Sequence, residues 1–100
     1  MKLNRAIPAA LALGLCCAPA LAAESGDAQA GKAKAAMCIG CHGIDYYHTA
    51  FPEVYHVPRL GGQHAAYLVK ALQEYKEGNR THPSMRAIAA GLSDKDMADL

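Results

Sequence analysis

The pattern Cys38-Ile-Gly-Cys41-His42 constrains this chain more than any other feature of its sequence. In a helical turn, residues three and four positions apart lie on one face, so the two thiols and the imidazole would all point at the same object. The sequence has no Trp and only one Phe, so few large side chains are available to fill a core. We therefore expect the motif to hold a group that helps to complete the fold.

The first 23 residues are predicted to be a secretory signal peptide. A short basic start precedes an apolar run over residues 6–21, and an A-x-A cleavage site follows it. The run contains two prolines and is shorter than the roughly 20 residues that a membrane span needs. A lipoprotein signal at Cys16 or Cys17 is disfavoured, because the residue before each is not the usual small one. We expect residues 24–100 to be exported to the periplasm, without stable membrane insertion after the signal is removed.

Residues 24–100 form a small domain that is close to neutral. Eight Lys and Arg stand against nine Asp and Glu, so the net charge is near −1. This balance gives no basic footprint for nucleic acid, and net charge would steer a protein partner only weakly. A domain of fewer than roughly 80 residues usually needs a disulfide, a metal or another cross-link to stabilise its fold.

Local patterns predict an all-α fold with three to four short helices. Asp27, Gly78 and Ser93 are placed as helix caps, and Met97 is predicted to be a core residue of the last helix. Residues 43–62, which contain two Pro and three Gly, are predicted to be a loop, and no strand pattern is visible. The predicted helices cover residues 28–41, 63–77, 86–90 and 94–100.

Three kinds of chemistry fit the Cys-x-x-Cys-His motif. It is the signature of covalent c-type haem attachment, in which Cys38 and Cys41 add to the two vinyl groups and His42 is held beneath the iron. A structural zinc site usually needs four ligands in two paired sets. His48 could join these three, but the chain has no second Cys-x-x-Cys. A redox dithiol belongs beside a βαβ pattern, and a disulfide across two residues would constrain the chain very little. Haem attachment is favoured, and the export signal supports it.

An iron that only transfers electrons needs a sixth ligand, and a Met opposite the His raises its potential. Met85 is the best-placed Met, because it follows His42 by 43 residues in a predicted loop and could wrap around a haem. His82 is the rival nearest to the right place and would give a low-potential iron with two His ligands. A solvated surface position is nevertheless predicted for each rival: His56, His64 and His82.

Three segments in this order resemble small bacterial class I cytochromes c: AGKAKAAMCIGCHG, VPRLGGQHAAYLVKALQEYKEGNR and MRAIAAGLSDKDMADL. The likeness covers almost all of residues 27–100. The family contains periplasmic electron carriers with a single haem and proteins with two such halves. Its last helix normally runs beyond the point equivalent to Leu100 and packs on Gly31. We therefore expect a cytochrome c-type fold around a haem, with a truncated last helix and an exposed apolar face on the first.

The resemblance implies a role for each residue of the motif and for two residues outside it. Cys38 and Cys41 would form the thioether bonds to haem c, and the iron would be ligated by His42 and Met85. Pro58 would offer its carbonyl oxygen to the ring N–H of His42, which fixes the tautomer of the imidazole.

The resemblance also implies residues that surround the haem. Leu60 and Leu68 would pack against it. Candidate partners of the propionates are Arg59, Gln63 and Arg80.

The predicted function is to carry one electron between redox partner proteins in the periplasm, without substrate chemistry. The sequence identifies neither the donor nor the acceptor. The alternative is a haem sensor or peroxidase-type domain whose sixth iron position is open or easily vacated. A third interpretation is a structural module with zinc or a disulfide and no haem.

Overall fold

The computed structural model describes residues 25–100, so the signal peptide predicted at residues 1–23 lies outside the described residues. Helices dominate this part of the chain, which confirms the all-α prediction, although there are five rather than three or four. None of the helices in residues 25–100 has the length and apolar character needed to cross a membrane. The elements, in chain order, are α1 Ala28–Lys34, α2 Ala36–His42, β1 His48–Thr49, β2 Tyr55–His56, α3 Ala65–Glu77, α4 Pro83–Ala90 and α5 Asp94–Asp99.

The helix predicted over residues 28–41 is divided into two at Ala35. Asp27 caps α1 as predicted, because its side chain accepts hydrogen bonds from the backbone N–H groups of Gln29 and Ala30. Ala35 keeps helical angles, with φ −62° and ψ −15°, and serves as both the C-cap of α1 and the N-cap of α2. The whole Cys-x-x-Cys-His motif therefore lies on a separate helix of seven residues.

The loop predicted over residues 43–62 contains a short antiparallel hairpin. His48 on β1 lies opposite His56 on β2, and Thr49 lies opposite Tyr55. The prediction that no strand occurs is wrong here. Strands of two residues are too short to produce the alternation by which a strand is recognised in a sequence.

Helix α4 begins earlier than predicted. Helix α3 ends at Gly78, whose φ of 88° gives the left-handed cap expected of a glycine. Helix α4 then starts at Pro83, because proline has a fixed φ suited to the first helical position and needs no N–H partner there. Met85 thus lies in the first turn of α4, and its prediction as a loop residue is wrong.

The last helix is fixed at its start by local hydrogen bonds and along its length by packing. The Ser93 side chain accepts from the Asp96 backbone N–H, and the Asp96 carboxylate accepts from the Ser93 backbone N–H, which forms a capping box. Met97 is only 1% exposed, so its prediction as a core residue is confirmed. Helix α5 packs against both α1 and α3.

Helices α1 and α5 cross so closely that only glycine fits at the contact. A Cβ atom added at Gly31 would lie 1.7 Å from the backbone oxygen of Asp99, and one added at Gly26 would lie 1.7 Å from that of Ala98. Gly31 is buried, so the expectation that α1 would expose its apolar face is wrong at this position.

A buried carboxylate joins the same two helices. The Asp99 side chain is 3% exposed and accepts hydrogen bonds from the backbone N–H of Asp27 at 2.7 Å and from Lys34 Nζ at 2.8 Å. Lys95 on its own helix also donates to it. These donors, the Asp27 N–H first among them, hold the pKa of the Asp99 carboxyl well below its ordinary value. Lys34 also bridges to Asp96 at 2.7 Å, so one lysine contacts two carboxylates of α5.

Substitution of Gly31 tests the helix crossing. We expect Gly31→Ala to lower the free energy of unfolding by about 3 kcal/mol or more, because the new methyl group would meet backbone rather than a movable side chain. Gly91→Ala is the control, since its Cβ would meet only the Ile88 oxygen at 3.6 Å. The control should be neutral or stabilising by up to about 1 kcal/mol in denaturant unfolding. Equal stability of both variants would contradict the observed crossing.

Substitution of Asp99 tests the buried carboxylate. Its folded-state pKa is depressed, so its contribution to stability is present above the ordinary carboxyl pKa of 3.8 and is lost as the pH falls below that value. Asp99→Asn should therefore destabilise the protein at pH 7, and the difference from the parent should shrink as the pH approaches about 3. Asp45→Asn, which changes a carboxylate that is 73% exposed, should have little effect in the same melts.

Candidate haem-attachment site

Helix α2 brings the three residues of the motif together. Cys38, Cys41 and His42 are all partly buried, and neither cysteine is in a disulfide. Burial raises the pKa of the Cys38 thiol above its ordinary value. Within residues 25–100, no group of three or more His, Cys, Asp or Glu side chains is arranged to hold a metal ion, so the zinc site that would add His48 is not assembled.

A hydrogen bond to the backbone orients the imidazole of His42. Its Nδ1 lies 2.6 Å from the carbonyl oxygen of Pro58. Because a carbonyl oxygen can only accept, Nδ1 carries the proton and donates it, and in the neutral ring Nε2 keeps its lone pair. Histidines that ligate metal ions are commonly held in this way by their other nitrogen. This is the contact that the family resemblance implies.

The hairpin holds Pro58 in position. Val57, which precedes it, is 7% exposed and donates its backbone N–H to the Tyr47 oxygen at 2.9 Å. The carbonyl that accepts the hydrogen bond from His42 therefore directly follows a residue that is buried and hydrogen-bonded across the hairpin. No strand was predicted here, although Tyr occurs on both sides of Pro52 and Val after it, and both residue types are enriched in strands.

The candidate sixth ligand and its rival lie at the start of α4. Met85 is partly buried there. The ring nitrogens of His82 are buried, and no group in the described residues hydrogen bonds to them, so its prediction as a solvated histidine is wrong. The His82 ring packs edge-on against Tyr55 with 4.6 Å between centroids. His56 and His64 are exposed, as predicted.

The two leucines predicted to pack on a haem keep part of their surface exposed. Leu60 and Leu68 are both partly buried. The buried apolar residues in the described part of the chain are just Val57, Ala89 and Met97. The remaining apolar side chains therefore have area available for contact with a large apolar group.

Each of the predicted propionate partners has a partner within the protein. Arg59 pairs with the exposed Asp45, and Gln63 accepts from the backbone N–H of His64 at 2.9 Å. Arg80 has the most extensive contacts: its Nε donates to Glu74 at 2.7 Å, and its guanidinium lies over two aromatic rings, those of Tyr67 and Tyr75. The propionate contacts stay a prediction.

The donor set fits a c-type haem. Two thiols that are not joined to each other lie beside an imidazole with an available Nε2, and a thioether and partly buried leucines come from other parts of the chain. These features define a c-type haem protein.

Comparison with known proteins identifies the family. The family model described as Cytochrome c matches residues 28–100, and the chain belongs to this family. It is 44% identical over 90 residues to cytochrome c4 of Pseudomonas aeruginosa, covering 90% of the chain and 41% of that protein. It is 40% identical over 79 residues to cytochrome c-554(548) of Halomonas halodenitrificans, covering 76% of the chain and 90% of that protein.

A third relative is named for a redox role. The chain is 43% identical over 70 residues to the thiosulfate dehydrogenase electron acceptor of Stutzerimonas stutzeri, covering 69% of the chain and 31% of that protein. The chain thus spans about two fifths or less of two of these three relatives, and most of cytochrome c-554(548). Membership of the family implies a covalently bound c-type haem with its iron as the cofactor.

Removal of both thiols tests the attachment. We expect the Cys38→Ala/Cys41→Ala double variant to lose all haem after denaturation, whereas each single variant keeps one thioether bond and retains haem. Haem staining of a denaturing gel measures this directly. The control is Met37→Leu, which changes an exposed side chain of the same helix and should stain like the parent. Haem retained by the double variant would show that the bonds form elsewhere.

Proposed function

We propose that this chain is an electron carrier that moves one electron between partner proteins in the periplasm. His42 and Met85 would ligate the haem iron, and Cys38 and Cys41 would bind the haem covalently. The observation that carries the proposal is the 2.6 Å contact between His42 Nδ1 and the Pro58 oxygen, which leaves Nε2 available to the iron.

The protein's own contribution would be to hold the ligands in place. The bound haem supplies the one-electron change between ferric and ferrous iron. Pro58 keeps the His42 ring in one orientation, and the partly buried position of Met85 limits water at the other ligand. Leu60 and Leu68 would exclude water from the haem faces. Rigid ligands undergo little rearrangement between redox states, which favours rapid electron transfer without substrate chemistry.

The proposed domain is residues 24–100, exported after removal of residues 1–23. The names of the relatives support a redox carrier, and one of them is named as the electron acceptor of an enzyme. We propose by analogy that the partners of this chain are redox proteins that deliver or accept single electrons. Its charge balance offers no large field to attract them, so apolar contact should contribute most to docking.

One observation favours a different sixth ligand for the iron. The buried nitrogens of His82 have no hydrogen-bond partner in the described residues, and His82 lies three residues before Met85. Ligation by His82 would keep the electron-carrier function but lower the reduction potential, because His is a poorer ligand for ferrous iron than Met.

Paired substitutions distinguish the two ligands. We expect Met85→Ala to lose the low-spin spectrum, to bind carbon monoxide in the ferrous state and to shift the reduction potential. His82→Ala should keep the low-spin spectrum and should not bind carbon monoxide. Visible spectra of the oxidised, reduced and carbon monoxide-treated haem protein provide the measurement, with the exposed Met37→Leu as control.

The opposite pattern, with loss of the sixth ligand only in His82→Ala, would assign the ligand to His82. Carbon monoxide binding by the unmutated protein would instead support a sensor or peroxidase-type domain. That result would overturn the electron-carrier proposal.

A further inference from the structure

The hairpin places two histidines in direct opposition. His48 and His56 are cross-strand partners. The adjacent pair, Tyr47 and Val57, is joined by a hydrogen bond from the Val57 N–H to the Tyr47 oxygen. Hydrogen-bonded and non-hydrogen-bonded pairs alternate along an antiparallel ladder, so His48 and His56 form a non-hydrogen-bonded pair. Side chains approach each other most closely at such pairs.

The two rings face each other at the surface. Their centroids are 4.7 Å apart and their planes differ by 24°. Both residues are exposed, so the pair is accessible to a dissolved ion. Stacking of the two rings would by itself explain the distance between their centroids. Stacking does not, however, require a particular ring nitrogen to be unprotonated, as binding of a metal ion does.

A backbone carbonyl fixes the tautomer of one ring. His48 Nδ1 lies 2.8 Å from the Tyr46 oxygen, and since that oxygen can only accept, Nδ1 donates its proton. In the neutral ring, Nε2 therefore has a free lone pair. Tyr46 has a φ of 57°, in the left-handed region that non-glycine residues seldom adopt. The turn thus presents this carbonyl to His48, just as Pro58 presents its carbonyl to His42.

We propose that His48 and His56, neither of which is a proposed iron ligand, form a surface site that chelates one divalent transition-metal ion. Imidazole nitrogens favour Cu²⁺, Ni²⁺ and Zn²⁺, whereas Mg²⁺ and Ca²⁺ prefer oxygen ligands. No third His, Cys, Asp or Glu joins the pair in residues 25–100, so solvent would occupy the other coordination positions. The site is therefore one for a readily exchangeable ion rather than for a permanently bound one.

Calorimetric titration of the haem-loaded protein with Zn²⁺ tests the site, because Zn²⁺ has no redox chemistry with the haem. We expect one ion per chain. His48→Ala and His56→Ala should each weaken Zn²⁺ binding by at least about tenfold. Tenfold is the lower end of the loss of affinity seen when a residue that hydrogen bonds to a metal ligand is replaced. His64→Ala removes an exposed histidine outside the hairpin and should bind Zn²⁺ like the parent. Unchanged binding in both hairpin variants, or equal loss in His64→Ala, would overturn the proposal.

A measurement on the unmutated protein covers the case in which a hairpin variant fails to fold. In proton NMR of the reduced protein, Zn²⁺ should shift the ring resonances of His48 and His56 and leave those of His64 in place. The visible haem spectrum should not change, because neither histidine is a proposed ligand of the iron. If the His48 and His56 resonances do not respond to Zn²⁺, the hairpin is not a metal site.

Discussion

The hydrogen bond from His42 to the Pro58 carbonyl is the contact on which the proposed site depends. It joins the attachment helix to the segment that leads into α3, across 16 residues of sequence. The bond orients the imidazole, and the hairpin in turn orients the carbonyl through buried Val57 and its partner Tyr47. A segment with little regular structure thus has a defined role, which is to keep one acceptor atom beside one ring nitrogen.

The parts of the structure that could be predicted are those that depend on neighbouring residues. Asp27, Gly78 and Ser93 cap their helices as predicted, because a cap needs only a suitable side chain or backbone angle next to the helix end. The motif likewise determines its own local geometry on α2. Covalent haem could therefore be inferred from five residues, and the comparison with known families confirms it.

The features that could not be predicted depend on distant contacts. The break at Ala35 has no Gly or Pro to mark it, and the burial of His82 depends on Tyr55, which is 27 residues away in the sequence. His48 lies opposite His56 because of the register of the hairpin. The strands are too short to show the alternation of apolar and polar residues from which a register could be predicted. Met85 was placed in a loop because the start of α4 at Pro83 went unrecognised, and its role as an iron ligand stays a prediction.

The close crossing of α1 and α5 has a consequence for the order in which the parts of the fold can form. Asp27 and Asp99 are 72 residues apart in sequence, so this contact cannot form until the segment through α5 has emerged. The Cys-x-x-Cys-His motif emerges more than 50 residues before α5 does. Its thiols are therefore available for haem attachment before α1 and α5 can meet, and cofactor attachment can precede final closure of the fold.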